Sequence, residues 1–238
     1  MSRYKAAALH LFFSGLVLFT IFLLIAYVWY PYKLFALAAG ADLLRLIICV
    51  DLIIGPLVML VIFDAKKKLI KMDVAIVLIC QICFMSYGLW AMFSSRPVFF
   101  VFADQHFYLV KANEIDKKDL QLASEPFNTL PLLGPYSVGT RQPDDAKVKA
   151  EVLFAGLSGM GIQDLPKYYV PYAQLKVEVI KSGKTSKQLG VDFETRQRVS
   201  VYEKLHTMYP VLFLPMVNKT TPLIVVINAK TAEFVDLI

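Results

Sequence analysis

Histidine, cysteine and the short signatures of catalysis are what this 238-residue chain has least of. It holds three histidines and three cysteines, and no GxSxG, HExxH or phosphate-cradling glycine loop. Nucleophile-elbow hydrolysis, zincin chemistry and P-loop phosphoryl transfer therefore lack their frames. His106 and His206 lie far apart in sequence, and His106, beside Phe107 and Tyr108, reads as a strand-surface side chain. Asp144-Asp145 is better read as a helix cap than as a metal or acid/base pair. The expectation is a protein with no enzymatic activity, no cofactor and no metal. Cys49, Cys80 and Cys83 all fall inside apolar runs, so the rest of the chain must fold without disulfides. Cys80-Gln81-Ile82-Cys83 has redox spacing but not the βαβ context such a motif needs.

Charge is also scarce, at 18% against 57% hydrophobic residues, and it is unevenly spread. Residues 1–93 carry eight Lys/Arg and four Asp/Glu, whereas residues 94–238 carry seventeen and fifteen. A membrane part and a soluble part follow. The net charge of +6 comes mostly from residues flanking the apolar runs, so no nucleic-acid surface is expected.

Three runs have the length of membrane spans, about 7–30, 43–63 and 74–93. The first is bracketed by Arg3 and Lys5 and by Tyr27, Trp29, Tyr30 and Tyr32, which suit the two interfaces. Ala36-Leu37-Ala38 has the look of a signal-peptide cleavage site. The apolar core before it is far longer than the usual 7–15 residues, so the first span is expected to stay attached. The loop 64–73 holds Lys66, Lys67, Lys68 and Lys71, whereas 31–42 holds only Lys33 and Asp42. By the positive-inside rule, loop 64–73 and the N-terminus are cytoplasmic and residues 94–238 lie outside.

The second span, LLRLIICVDLIIGPLVMLVIF, carries Asp51 near its middle. An ionised carboxylate there costs at least about 2.5–3.5 kcal/mol, so Asp51 is protonated or faces other protein or a wet cavity rather than lipid. Pro56, after Gly55, removes a donor and frees the carbonyl of Leu52, which predicts a kink packed against neighbours. Helix rise places Asp51 and Ser86 roughly 18 Å deep, with Thr20 at roughly 16–17 Å. Thr20, Asp51 and Ser86 are expected to form one polar layer, either as glue within the bundle or as a contact for another protein's membrane helix. Arg45 lies about 120° around the helix from Asp51 and is not its expected partner.

The external part begins with VFFVFA and HFYLVK, a predicted hairpin through Asp104-Gln105. A short helix over 115–123 and a loop-like PFNTLPLLGPY follow. Asp144 is placed to cap a helix running to Leu157, with Val148, Val152 and Phe154 or Leu157 toward a core. Further helices are predicted over 167–180 and 194–208, then strands over 211–217, 222–228 and 232–238, with turns at 218–221 and 228–230. Asn218-Lys219-Thr220 fits a glycosylation acceptor, which matters only in a secretory-pathway host. The fold class expected is a three-helix transmembrane bundle plus a C-terminal α+β domain, its two ends meeting in one antiparallel sheet.

The order of local features carries a resemblance. It runs through Ser2-Arg3-Tyr4-Lys5, Trp29-Tyr30-Pro31, Val50-Asp51 with Gly55-Pro56-Leu57, and Phe63 followed by Lys66-Lys67-Lys68. It continues through Tyr87-Gly88, Arg96-Pro97-Val98, Val101-Phe102 and Tyr168-Tyr169-Val170-Pro171-Tyr172. Nearly the whole chain resembles the TfpX/TfpZ family of type IV pilin accessory proteins of bacterial inner membranes. The resemblance implies an inner-membrane protein with a periplasmic domain that binds the major pilin as a chaperone or stabiliser before or during pilus assembly, in contact with membrane lipid. It marks Arg96, Pro97, Tyr168, Tyr169, Pro171 and Tyr172 as a candidate periplasmic motif. Thr20, Asp51, Gly55, Pro56 and Ser86 remain the candidates for membrane packing or partner contact. The rival readings are a membrane-anchored periplasmic sensor that binds a small ligand, and a membrane-anchored enzyme.

Overall fold

The structure is a computed structural model that describes residues 2–31, 34–37, 40–157, 159–205, 208–217 and 223–238. Tyr32, Lys33, Ala38, His206 and the predicted turn and glycosylation tripeptide at 218–221 lie outside the described residues. The chain divides into two compact units, Met1–Arg96 and Pro97–Ile238.

The first unit is built from three helices long and apolar enough to cross a membrane, Arg3–Trp29, Leu44–Ile62 and Ile70–Ser94. Only 11% of the most apolar stretch of the first and third is buried in the protein, so most of their apolar surface faces outward. Phe12, Phe19, Ile79 and Trp90 are among the exposed side chains. Such a surface is stable only where water is absent.

The first span is α1 (Arg3–Leu24), continued by a π-helical stretch over Ile25–Trp29. A short α2 (Leu34–Leu37) follows. The second span comprises α3 (Gly40–Ile48), a π-helical stretch over Cys49–Ile54 and α4 (Gly55–Ile62). The third is α5 (Ile70–Ser94). Pro56 brings no N–H, and the backbone meets this by widening the preceding turn: the Gly55 N–H reaches back five residues to the Val50 oxygen. The expected kink thus takes the form of a π-helical turn, and Asp51 lies inside it. Ala6, Ala7 and Met59 pack together at one end of the bundle, where small residues let backbones approach. Gly88 serves the same purpose between the second and third spans, since a Cβ there would lie 2.6 Å from Ile47 Cγ1.

The second unit is organised by β1 (Pro97–Ala103), buried along its whole length. It forms the predicted hairpin with β2 (His106–Lys111). Asp104 and Gln105 take φ of 47° and 64°, the paired left-handed geometry that a two-residue hairpin loop needs. The remaining strands are β3 (Tyr136–Thr140), β4 (Tyr169–Pro171), β5 (Val211–Val217), β6 (Leu223–Asn228) and β7 (Phe234–Leu237). They form one seven-stranded sheet in the order β4-β3-β1-β2-β5-β6-β7. The two ends of the domain meet as expected, but the sheet is mixed: β1–β3 and β2–β5 run parallel, and the other four pairings antiparallel. A long excursion separates the members of each parallel pair, and such crossovers carry the helices.

Four helices belong to that excursion: α6 (Lys117–Gln121), α7 (Ala146–Leu157), α8 (Lys176–Ser182) and α9 (Phe193–Leu205). Phe99, Val101, Val138, Val152, Leu165 and Tyr169 share one core cluster. Val199, Phe213, Ile224 and Val226 share another. Each buried side chain of this size contributes about 1.5–3 kcal/mol.

Three sequence expectations are corrected here. The α7 cap is Asp145, whose Oδ1 accepts from the N–H groups of Lys147 at 2.7 Å and Val148 at 3.3 Å, rather than Asp144. Phe154 and Leu157 are 69% and 84% exposed and Val148 is half-buried, leaving Val152 alone of the four buried in the core. The stretch 167–180 is not one helix: Tyr169–Pro171 pairs with β3 as β4, because sheet hydrogen bonds and burial of Tyr169 outweigh its helical spacing.

Candidate functional site

Asp51 is 5% exposed and faces the bundle interior, as its cost in lipid requires. Arg45 pairs with Asp42 at 2.8 Å and leaves Asp51 alone. The polar layer expected from depth does not form. Thr20 is exposed and its hydroxyl donates to the Leu16 oxygen of its own helix at 3.0 Å, while Ser86 is exposed on α5. Depth along a helix was matched, but position around the helix was not, and both side chains lie on exposed faces of their helices.

Other residues take their place beside Asp51. A cavity of ≈ 190 Å³ is lined by His10 and Ser14 of α1, Asp51 of the second span and Gln81 of α5, with apolar neighbours that include Phe13 and Ile82. Gly55 brings the polar ends together. A Cβ at that position would fall 2.1 Å from Gln81 Nε2 and 2.6 Å from His10 Nε2, so both nitrogens occupy the space a side chain would fill.

Among the described residues, the buried side-chain polar atoms without a hydrogen-bond partner are Asp51 Oδ2, His10 Nε2, both polar atoms of Gln81, and Gln142 Oε1. Four of these five belong to Asp51, His10 and Gln81, residues that also line the cavity. Each unmatched buried group costs roughly 1–3 kcal/mol, and interiors rarely tolerate several together without a purpose. The sequence did contain the pattern: His10 and Ser14 are four residues apart on one helical face, and Gln81 is a lone amide in an apolar span.

The candidate external motif is architectural. Arg96 is 4% exposed; its guanidinium lies 3.8 Å from the Phe93 ring centre and donates to the Phe93 oxygen at 2.7 Å. Pro97 starts β1. Tyr169 packs edge-on against Phe99 with ring centres 5.1 Å apart, and its hydroxyl donates to the Gln163 oxygen. Tyr172 donates to the Ala232 oxygen at 2.7 Å, tying the end of β4 to the turn before β7. Burial pushes both phenols well above the ordinary tyrosine range. Tyr168 lies under Lys167, which pairs with Asp119 at 2.8 Å; that bond raises the lysine above its usual value. Pro171 is exposed at the end of β4.

A contiguous exposed set stands out on α7: Leu153, Phe154 and Leu157 are 62%, 69% and 84% exposed. Clustered apolar side chains of this size on a soluble domain mark a contact surface.

Two fimbrial assembly proteins of Dichelobacter nodosus, of serogroups I and E1, are each 24% identical to this chain over 243 residues. Each match spans 98% of this chain and 95% of the relative. A third from the same organism, of serogroups C1 and C2, is 28% identical over 100 residues, covering 41% of this chain and 76% of that protein. No family model and no solved structure matches the chain.

Proposed function

We propose that this protein assists type IV pilus assembly as an inner-membrane accessory protein of the TfpX/TfpZ kind, and that it acts by binding the major pilin rather than by turnover. The observation that carries the reading is the similarity to fimbrial assembly proteins along nearly the entire chain, spans and external domain together. A pilin subunit waiting in the membrane has an apolar helix and a globular head outside, so a helper needs a surface for each. Here the bundle offers a largely apolar cavity between its spans and the external domain offers the apolar face of α7. The two most perturbed phenols of the external domain spend their hydroxyls on backbone carbonyls, which suits scaffold more than catalyst. In this reading the N-terminus and the lysine loop are cytoplasmic and the sheet domain is periplasmic.

Co-purification of the tagged full-length protein from membranes with and without the pilin gene tests the proposal. Pilin recovered with the protein supports it. Recovery of the protein without pilin, at normal pilin levels in the membrane, overturns it.

A further inference from the structure

Residues 126–140 of the external unit run for fifteen positions without an Asp, Glu, Lys or Arg. Phe127, Pro131 and Val138 are buried and hold this stretch on the domain. Between the last two, the chain bends over 132–134, and Gly134 takes a φ of 56° that a side chain would resist. Leu132 and Leu133 on that bend are 63% and 71% exposed, and Tyr136 just beyond it is exposed as well. Strand register fixes the end of the sheet at which this loop stands. β3 runs parallel to β1 with Tyr136 opposite Phe99, so residues 132–135 enter the sheet at the end where β1 begins.

β1 begins at Pro97, and only Ser95 and Arg96 separate it from Ser94, the last residue of the third span. Five residues of extended chain, from Ser94 to Phe99, reach at most about 18 Å, and the neighbouring strand adds about 5 Å. The covalent link alone therefore keeps Tyr136 within about 23 Å of the end of that span. We propose that loop 132–136 dips into the lipid interface around the third span and is a second membrane anchor of the external domain. Leu132 and Leu133 enter the acyl-chain boundary, and Tyr136 keeps its ring there with its hydroxyl among the headgroups, as interfacial aromatics do. The stretch brings no charge that would have to be desolvated on entry. Together with the covalent link, the loop sets which end of the sheet faces the membrane. No pilin is needed for this contact, so it stands or falls apart from the function proposed above.

The test uses the full-length protein with Cys49→Ala, Cys80→Ala and Cys83→Ala, reconstituted without pilin in vesicles of phosphatidylethanolamine and phosphatidylglycerol. An environment-sensitive fluorophore is attached to one new cysteine at a time, through Leu132→Cys, Leu133→Cys or Gln105→Cys. Gln105 is exposed in the turn at the opposite end of β1 and is the control. Severalfold quenching of the probes at 132 and 133 by spin labels on lipid acyl chains is expected, with protection from aqueous iodide and the reverse pattern at 105. A probe at 133 that escapes the lipid-borne quencher overturns the proposal, whether it is open to iodide, shielded by a second copy, or shielded only once pilin is added. Equal lipid quenching at 105 overturns it too, because that reports adsorption without a preferred end. Leu133→Asp, at an exposed position, tests insertion against mere proximity. The probe at 132 should then lose its lipid quenching severalfold at an unchanged thermal midpoint, and unchanged quenching overturns the anchor.

Discussion

The Tyr30 hydroxyl donates to the Met92 oxygen at 2.9 Å, joining the end of the first span to the end of the third. Tyr30 is fully buried, and its hydroxyl also lies 3.3 Å from Ser95 Oγ. Tyr30→Phe keeps the ring packing and is expected to cost about 0.5–1.5 kcal/mol. Tyr30→Ala also opens a cavity and is expected to cost about 3–5 kcal/mol. Thermal unfolding of the purified protein in detergent ranks the two; equal midpoints for wild type and Tyr30→Phe would show that the bond contributes nothing.

Gly55→Ala drives a Cβ into the space held by the Gln81 and His10 side-chain ends, which can swing aside, and that cost is set against the roughly 0.5–1 kcal/mol Ala gains over Gly in a helix, so stability is expected to stay close to wild type. Gly156 in α7 has nothing within 4 Å of where its Cβ would be, so Gly156→Ala is expected to stabilise by roughly 0.5–1 kcal/mol. Melting curves should therefore show a rise for Gly156→Ala and little change for Gly55→Ala.

Asp145→Ala removes the acceptor for two N–H groups at the start of α7 and is expected to cost about 0.5–2 kcal/mol. Asp144→Ala should leave stability unchanged. Hydrogen exchange of the first turn of α7 discriminates them, and equal protection in both variants would overturn the assignment of the cap.

Asp192 accepts from the Thr195 N–H at 2.9 Å and the Thr195 hydroxyl at 2.7 Å, and these bonds hold its carboxyl below the usual range. A depressed folded-state value means its contribution is fully present above the unfolded value of about 3.9 and is lost as pH falls through the folded one. Protection factors at the α9 amides, corrected for the intrinsic pH dependence of exchange, should thus fall as pH is lowered below about 4. Asp192→Asn keeps a capping side chain but no ionisable group, so its residual acid sensitivity at α9 should be smaller. Identical pH profiles for the two proteins would remove the linkage.

A reporter active only in the periplasm and fused after Ile238 is expected to be active, and the same reporter inserted in 64–73 inactive. The basis is four lysines in that loop against one in 31–42. The reverse pattern would invert the orientation and move the proposed pilin contact of the sheet domain to the other side of the membrane.

What the sequence determined by itself was whatever local composition and period suffice to set. Three spans follow from run length, and the hairpin through Asp104-Gln105 from two β-prone runs around a two-residue turn. An inward Asp51 follows from the cost of a carboxylate in lipid, and α9 from its apolar period. These features depend on neighbours in the chain, so they are written in it.

Tertiary structure decided the rest. Whether Tyr169–Pro171 continues a helix or pairs with β3 depends on the free edge that β3 presents, and no window around those residues contains it. Asp51 shares a cavity with His10 and Gln81 rather than a layer with Thr20 and Ser86 because helix rotation and the close approach at Gly55 choose which side chains come together. Axial depth can be counted from sequence, but the angle at which each helix turns toward its neighbours is set by packing between segments distant in the chain.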